Sequence, residues 1–283
     1  MQNAKIEVDE TLPFGGYAAG RVAGCLIRIT RALPNNWLGK RLIFLLRGIA
    51  RKRLRQCVDT TLFGARLRLY TGGNLSEKRA LFAPQLFDLE EREEFQKLAA
   101  PGAVFIDIGA NVGLYSFSVG QTFRGFEKTR IIAVEPHPEI HRRLAFNKSL
   151  NPSMPIELFQ GGIGDREDEM QLLTGDDNLG QTRILRADEA AHPKGISVPI
   201  TTLISLCEKF DLNRIDGMKI DVEGFEEAVL LPFFEHASDQ LLPRLIVIED
   251  NRDDWEADIL VAAAKRGYRL ARKTRMNLLL RRG

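Results

Sequence analysis

The sequence is poor in the residues that cross-link a small fold or bind a metal. Among 283 residues there are three cysteines (Cys25, Cys57 and Cys207) and four histidines. No two cysteines stand at CxxC spacing and no histidine joins them in a cluster. Neither a disulfide framework nor a zinc site is therefore expected, and the thiols read as reduced. No apolar run approaches the roughly 20 residues that a membrane span needs. The opening MQNAKIEVDE lacks the basic flank and apolar block of a secretory signal, so the expected location is cytoplasmic. Internal repeats and low-complexity segments are absent. With 44% apolar and 28% charged residues, a sizeable globular core is expected.

One local absence is more pointed. Residues 20–58 contain ten basic side chains and no acid. Thirty basic residues then face 38 acids in the remainder, giving a basic front on a mildly acidic body. Within the front, Val22, Leu26, Ile29 and Leu33 fall at helical spacing, Pro34-Asn35-Asn36 breaks the run, and Leu38, Leu42, Leu45 and Ile49 resume it. This predicts a helical hairpin. Either its apolar stripes pack on the body and its arginines face solvent, or the basic face docks to an anionic lipid surface or an acidic partner. Only Trp37 and Phe44 are interleaved with the basic residues, too few aromatics for a nucleic-acid surface.

Ala65, Leu67 and Leu69 alternate with Arg66, Arg68 and Tyr70, which predicts a strand. A largely helical stretch broken near Pro84 follows and ends at Pro101-Gly102. From there strands and helices alternate: strands over 104–108, 131–135, 156–159, 196–200, 218–222 and 245–249, helices over 112–119, 138–150, 203–210, 225–231 and 255–266, and a closing hairpin around RKTRMN. The expected organisation is a basic helical extension over 1–60, a strand–helix lead-in over 61–100, and a main domain over 101–283. Buried βα alternation implies a mostly parallel sheet with helices on both faces.

In such a sheet, ligands bind beyond the carboxyl ends of the strands. The first strand runs into Asp107-Ile-Gly109-Ala110-Asn111-Val-Gly113. The glycines are expected to let a ligand approach the backbone, and the helix start to offer free N–H groups. Asp107 would repel a pyrophosphate but suits a ligand with a positive charge beside its carboxylate. S-adenosylmethionine has that character. Glu135, ending the second strand, is placed to accept a ribose diol, and Asp165, after the third, an adenine amine. A nicotinamide-dependent oxidoreductase would share the fold but needs GxGxxG, whose second and third glycines are here Asn111 and Leu114.

The fourth strand carries Asp221 and Glu223 to the same edge in MKIDVEGFE, and Gly224 permits a sharp turn. Either acid is a candidate general base, His137 is a second choice, and a helix-capping role for Glu223 is the plainer alternative. Asp221, Asp250 and Asn251 together also suggest oxygen ligands for Mg²⁺, as in catechol-type O-methyltransferases, although no metal is the expectation.

Taken together, FIDIGANVG, AVEPHPEIHRRLAFN, GIGDREDEMQLL, VPITTLISL and KIDVEGFE resemble the FkbM-type S-adenosylmethionine-dependent methyltransferases. The resemblance implies a class I, Rossmann-like methyltransferase fold with a mostly parallel seven-stranded sheet. It also implies methylation of a hydroxyl on a sugar, glycolipid or polyketide. Carried over by position, Asp107, Gly109, Ala110, Asn111 and Gly113 match the cofactor-binding turn, Glu135 the ribose ligand, Asp165 the adenine contact, and Asp221 with Glu223 the acidic pair near the reacting centre. The resemblance says nothing about residues 1–60. Acceptor selection is expected from the polar stretch 171–199, with Arg183 and Arg186 as candidate anion contacts.

Overall fold

A computed structural model describes residues 10–175, 178–184 and 195–283. In chain order the elements are α1 (Arg21–Ala32), α2 (Trp37–Arg51), β1 (Cys57–Leu62), β2 (Ala65–Tyr70), α3 (Leu75–Phe82), α4 (Leu89–Gln96), β3 (Val104–Ile108), α5 (Leu114–Phe123), β4 (Arg130–Glu135), α6 (Pro138–Ser149), β5 (Ile156–Gln160), β6 (Gly162–Gly164), β7 (Asp168–Gly175), β8 (Asn178–Ile184), β9 (Ile196–Thr202), α7 (Leu203–Lys209), β10 (Gly217–Ile220), α8 (Glu226–His236), β11 (Leu245–Glu249), α9 (Ile259–Lys265), β12 (Tyr268–Lys273) and β13 (Asn277–Arg282).

Seven strands form the main sheet in the order β12-β13-β11-β10-β3-β4-β5. From β11 to β5 all neighbours are parallel, whereas β13 runs antiparallel to both β11 and β12. The strand order reverses direction between β3 and β10, where a crevice opens at the carboxyl ends. This is the mostly parallel seven-stranded sheet that the sequence predicts, with the closing hairpin supplying its one reversed strand.

Period two divides the core between the two faces of the sheet. Val104, Ile106 and Ile108 face α7, α8 and α9 through Leu206, Val229, Phe233 and Ile259. Phe105 faces the other way, onto Phe95, Leu114, Phe117 and Leu144 of α4, α5 and α6. Asp107 shares that second face, which places its carboxylate beneath α5.

The N-terminal segments join this second core. Ile27, Ala50, Val58, Leu67, Phe82 and Phe105 belong to one buried cluster, and the expected boundary at residue 60 falls inside β1. Two asparagines of the α6 region fasten β2: Asn147 accepts from Arg68 N at 2.8 Å and Asn151 from Arg66 N at 2.9 Å. Buried ion pairs complete the seam. Arg68 meets Asp59 at 2.7 Å, and Arg143 meets Glu77 at 3.0 Å and Glu139 at 2.6 Å.

Several sequence expectations are corrected. β1 was unexpected, as was the four-stranded sheet β6-β9-β7-β8, whose buried Met170, Leu172, Val198 and Ile200 form a small core with Phe225. The helix expected to stop before Pro232 runs on to His236; burial of Phe233 and Phe234 offsets the hydrogen bond that proline removes. The helix expected from Trp255 starts at Ile259, where Asp258 accepts from the Leu260 and Val261 amides. The hairpin forms as expected, with Asn36 capping α2, but its faces are reversed. Gly39, Ile43 and Ala50 are buried, and the stripe Leu38, Leu42, Leu45 and Ile49 is exposed.

Candidate active site

A cavity of about 210 Å³ lies at the carboxyl ends of β3, β4 and β10. Its lining is mixed. Val134, Pro136, Ile140, Ile163 and Leu172 supply apolar surface, and Asn74, Asp88, Tyr115, Glu135, Lys219, Asp221, Glu223 and Glu249 supply polar groups.

Glu135 is buried, and each of its oxygens accepts one backbone amide: Asn111 N at 2.8 Å and His137 N at 2.9 Å. Each oxygen keeps a further lone pair for a hydroxyl donor. Burial is the main influence on this carboxyl and raises it to about 7, against the pull of the two amides. Asn111 takes the left-handed conformation, φ 54°. Its side-chain oxygen accepts from Val112 N and from Asn74 Nδ2, which ties the turn after β3 to the start of α3.

Gly109 lines the cavity, but a different neighbour requires it to be glycine. At φ 73° a Cβ would sit 1.9 Å from the Asp221 carbonyl oxygen, so the ends of β3 and β10 meet only because this residue lacks a side chain.

Asp107, Gly113 and Asp165 are not among the described residues that line the cavity. Asp107 is fully buried and accepts from Ser116 N at 3.0 Å and Ser116 Oγ at 2.6 Å, so it caps the first turn of α5 from below. Its other oxygen lies 3.8 Å from Lys219 Nζ. Gly113 packs beneath Leu144 and Phe117. Asp165 lies beside Arg166 and borders a separate groove with Met170 and Phe225. The amides of residues 109–113 are also engaged, on Val134 O, Glu135, Asn111 Oδ1 and Ala110 O, instead of being free.

Lys219 was missed as a site residue. It lies two positions before Asp221 on β10, so both face the same way. Its ammonium sits 2.9 Å from Asp221, 3.3 Å from the Gly109 carbonyl and 5.0 Å from the Tyr115 ring centre. Burial opposes its charge, but Asp221 and Asp107 outweigh that and raise its pKa. Tyr115 donates to Asp88 at 3.1 Å. Both were hidden in segments read only as helix.

Glu223 follows β10 in the left-handed conformation, φ 50°, an arrangement that costs about 1–3 kcal/mol and persists only where its surroundings enforce it. Restricted hydration in the cleft raises its carboxyl to about 7, with repulsion from Asp221, Glu249 and Glu226 adding to the effect. Glu223 does not cap α8. Glu226 instead accepts from Gly224 N, at 3.1 Å.

His137, the second-choice base, is buried and caps α6, its Nδ1 accepting from Glu139 N and Ile140 N. Asp250 is held to about 2 by Arg252, with Lys273 also bonded to it, and Asn251 binds Glu226 and Glu249. The Asp250 carboxylate is thus committed to the cations of Arg252 and Lys273. Arg183 falls within β8, while Arg186 lies in the segment 185–194, outside the described residues.

A model of the Methyltransferase FkbM domain matches residues 107–270. The chain belongs to this family. That membership, the strand order and the absence of GxGxxG decide against the nicotinamide reading: the protein is a methyltransferase of the class I fold, with S-adenosylmethionine as methyl donor. The AMB antimetabolite synthetase AmbE of Pseudomonas aeruginosa is 25% identical over 217 residues, covering 64% of this chain and 10% of that protein. The chain thus spans about a tenth of that relative's length. A SAM-dependent methyltransferase from Aquifex aeolicus is 13% identical, with 74% of this chain and 93% of that one covered, at a TM-score of 0.40. P. horikoshii TYW2 in complex with MeSAdo is 13% identical, with 80% and 71% covered, at 0.41.

The donor set fits the methyl donor. The apolar lining suits a flat base, Glu135 offers two acceptors to a ribose diol, and Lys219 beside Asp221 offers the opposite charges that an amino-acid tail needs.

Proposed function

We propose that the enzyme methylates a hydroxyl oxygen on a sugar, glycolipid or related acceptor, with Glu223 as general base. The observation that carries this reading is the Glu223 carboxyl, which lines the cavity with Asp221 and Glu249 from a left-handed turn after β10; desolvation and these neighbours raise it to about 7. S-adenosylmethionine, when bound, supplies a methyl group already activated for in-line displacement. The protein's tasks are then positioning and proton removal. In this reading Glu135 and the apolar slot orient the nucleoside, while Lys219 and Asp221 hold the amino-acid end. Glu223 would accept the proton that the acceptor hydroxyl gives up when its oxygen is methylated. Asp221 pairs with Lys219, and its proximity adds to the desolvation that makes Glu223 basic.

Because the base acts in its deprotonated form, turnover rises with pH through about 7. Glu223→Gln is expected to lower kcat by about 10²–10⁴-fold while the affinity for S-adenosylmethionine stays within about twofold. Unchanged turnover would remove Glu223 from the chemistry. A methylated amine or carbon in the product, identified by mass spectrometry against a panel of glycosides and amines, would overturn the oxygen assignment.

A further inference from the structure

The α1–α2 hairpin presents an unusual outer surface. Trp37 is 68% exposed, Leu38 58%, Phe44 70% and Leu45 60%, with Val22, Ile29, Leu42 and Ile49 exposed beside them. On α2, Leu38, Leu42, Leu45 and Ile49 make a continuous stripe at i, i+4, i+7 and i+11, and none of it is turned to the core. Arg21, Arg28, Lys40, Arg41, Arg51, Lys52, Arg53 and Arg55 are exposed around these side chains. Arg41 stacks over Trp37 at 4.4 Å and Arg47 over Phe44 at 5.1 Å, so cations and aromatics share one outer face. No acid interrupts residues 20–58. Large apolar side chains ringed by cations are the pattern of a helix that lies in a membrane interface.

A second cavity, of about 420 Å³, opens between this hairpin and the reaction site. Lys40, Phe44 and Arg47 of α2 and Lys78 of α3 form its outer wall. Arg79, Asp88, Met276 and Asn277 line both cavities, so the two are contiguous. Of the acids on its far wall, Glu91 accepts from Thr274 and Asn277, and Glu90 from Arg272. The outer wall therefore keeps a positive character.

We propose that the α1–α2 hairpin seats the enzyme on an anionic bilayer, and that the acceptor is a membrane-borne amphiphile whose head group reaches Glu223 through this second cavity. The docking half rests on the hairpin alone; the acceptor half rests on the hydroxyl-methylation reading above. Charge complementarity selects the occupant. A second copy would bring the same acid-free surface against itself, and a nucleic acid would leave the leucine–isoleucine stripe without a partner. Anionic lipid satisfies both components, the head groups meeting the cations and the acyl boundary the apolar stripe.

Full-length protein is sedimented with vesicles of phosphatidylcholine alone and of phosphatidylcholine with phosphatidylglycerol. The expected result is at least tenfold stronger partitioning to the anionic vesicles, weakened by salt. Leu38→Asp/Leu45→Asp and Arg41→Glu/Lys52→Glu alter exposed positions outside both cavities, so melting temperature and S-adenosylmethionine affinity should match wild type. Each pair should reduce partitioning by more than tenfold, since one interfacial cation is worth about a fivefold change. Wild type that ignores anionic vesicles, or variants that partition as wild type does, would overturn docking. So would a dimer abolished by the leucine variant without vesicle binding, or an RNA oligonucleotide retained in place of vesicles. The acceptor half predicts at least tenfold faster methyl transfer to an alkyl glycoside embedded in the vesicles than to the free sugar. Equal rates, or no transfer to the embedded glycoside by protein that binds both vesicles and S-adenosylmethionine, would overturn it and leave docking standing.

Discussion

Replacing Glu135 by glutamine tests the electrostatic design of the cofactor site. In the folded chain this carboxyl is buried and titrates at about 7, against an ordinary 4.5. Between those values the folded chain holds a proton that the unfolded chain has released, so folding stability falls as pH rises through that window. The difference of about 2.5 units corresponds to about 3 kcal/mol of stability present below pH 4.5 and lost above pH 7. Glutamine cannot ionise, so this contribution vanishes in Glu135→Gln. Its carbonyl oxygen can serve one of the two amides, Asn111 N or His137 N, and its NH₂ group faces the other. The lost partner costs about 1–3 kcal/mol at every pH. Urea unfolding should show the variant below wild type at both pH values, with a gap about 2–3 kcal/mol wider at pH 5.0 than at pH 7.5. The substitution also replaces a charge-assisted ribose acceptor, so the dissociation constant for S-adenosylmethionine at pH 8 should rise about 10–150-fold. A stability gap that is the same at both pH values would refute the raised titration. Unaltered affinity would refute the ribose role.

Three further outcomes follow from the same geometry. Gly109→Ala sets a methyl 1.9 Å from the Asp221 carbonyl oxygen in a left-handed residue; thermal melting should show a loss above about 3 kcal/mol, and a loss under about 1 would mean the two strand ends are not in contact. Arg143→Met strands Glu77, which is buried with it, and should cost about 3–5 kcal/mol by urea unfolding, whereas a near-neutral result would mean that water reaches the pair. Dialysis against EDTA and Asp250→Asn should both leave methyl transfer within about twofold, because Asp250 is committed to Arg252 and Lys273; loss of activity restored by Mg²⁺ would reinstate a metal.

The sheet was legible because its strands carry period two or continuous apolar runs ending in acids and glycines. Glu135, Asp221 and Glu223 were singled out because a carboxylate at or just past a parallel strand's end has few structural duties, and all three line the cavity. Asp107 shared the pattern yet serves Ser116, because strand parity turns it toward α5 and not toward the crevice. That parity was readable from Phe105, which faces the same helix layer. Asp165 lay at the expected distance after β5, but the chain turns into β6 and carries it to another groove. The second sheet was missed although Met170 and Leu172 alternate, since acids dominate the flanks. Lys219 was overlooked because a lysine inside a strand reads as an edge charge, whereas here three oxygens and an aromatic face surround it. The hairpin stripes were visible as stripes, but nothing in their spacing reveals which way they face. Ala50, small and fully buried in the shared core, takes the inner side, while Gly39 packs against Pro34 and Asn36 of the turn before α2.

The central claim is that the crevice beyond β3, β4 and β10 receives S-adenosylmethionine. Isothermal titration of the full-length chain with S-adenosylmethionine and, separately, with NAD tests it directly. Saturable one-to-one binding of the first, weakened in Glu135→Gln, with no heat from the second is the predicted result. Silence toward S-adenosylmethionine at millimolar concentration, or saturable binding of NAD, would contradict it.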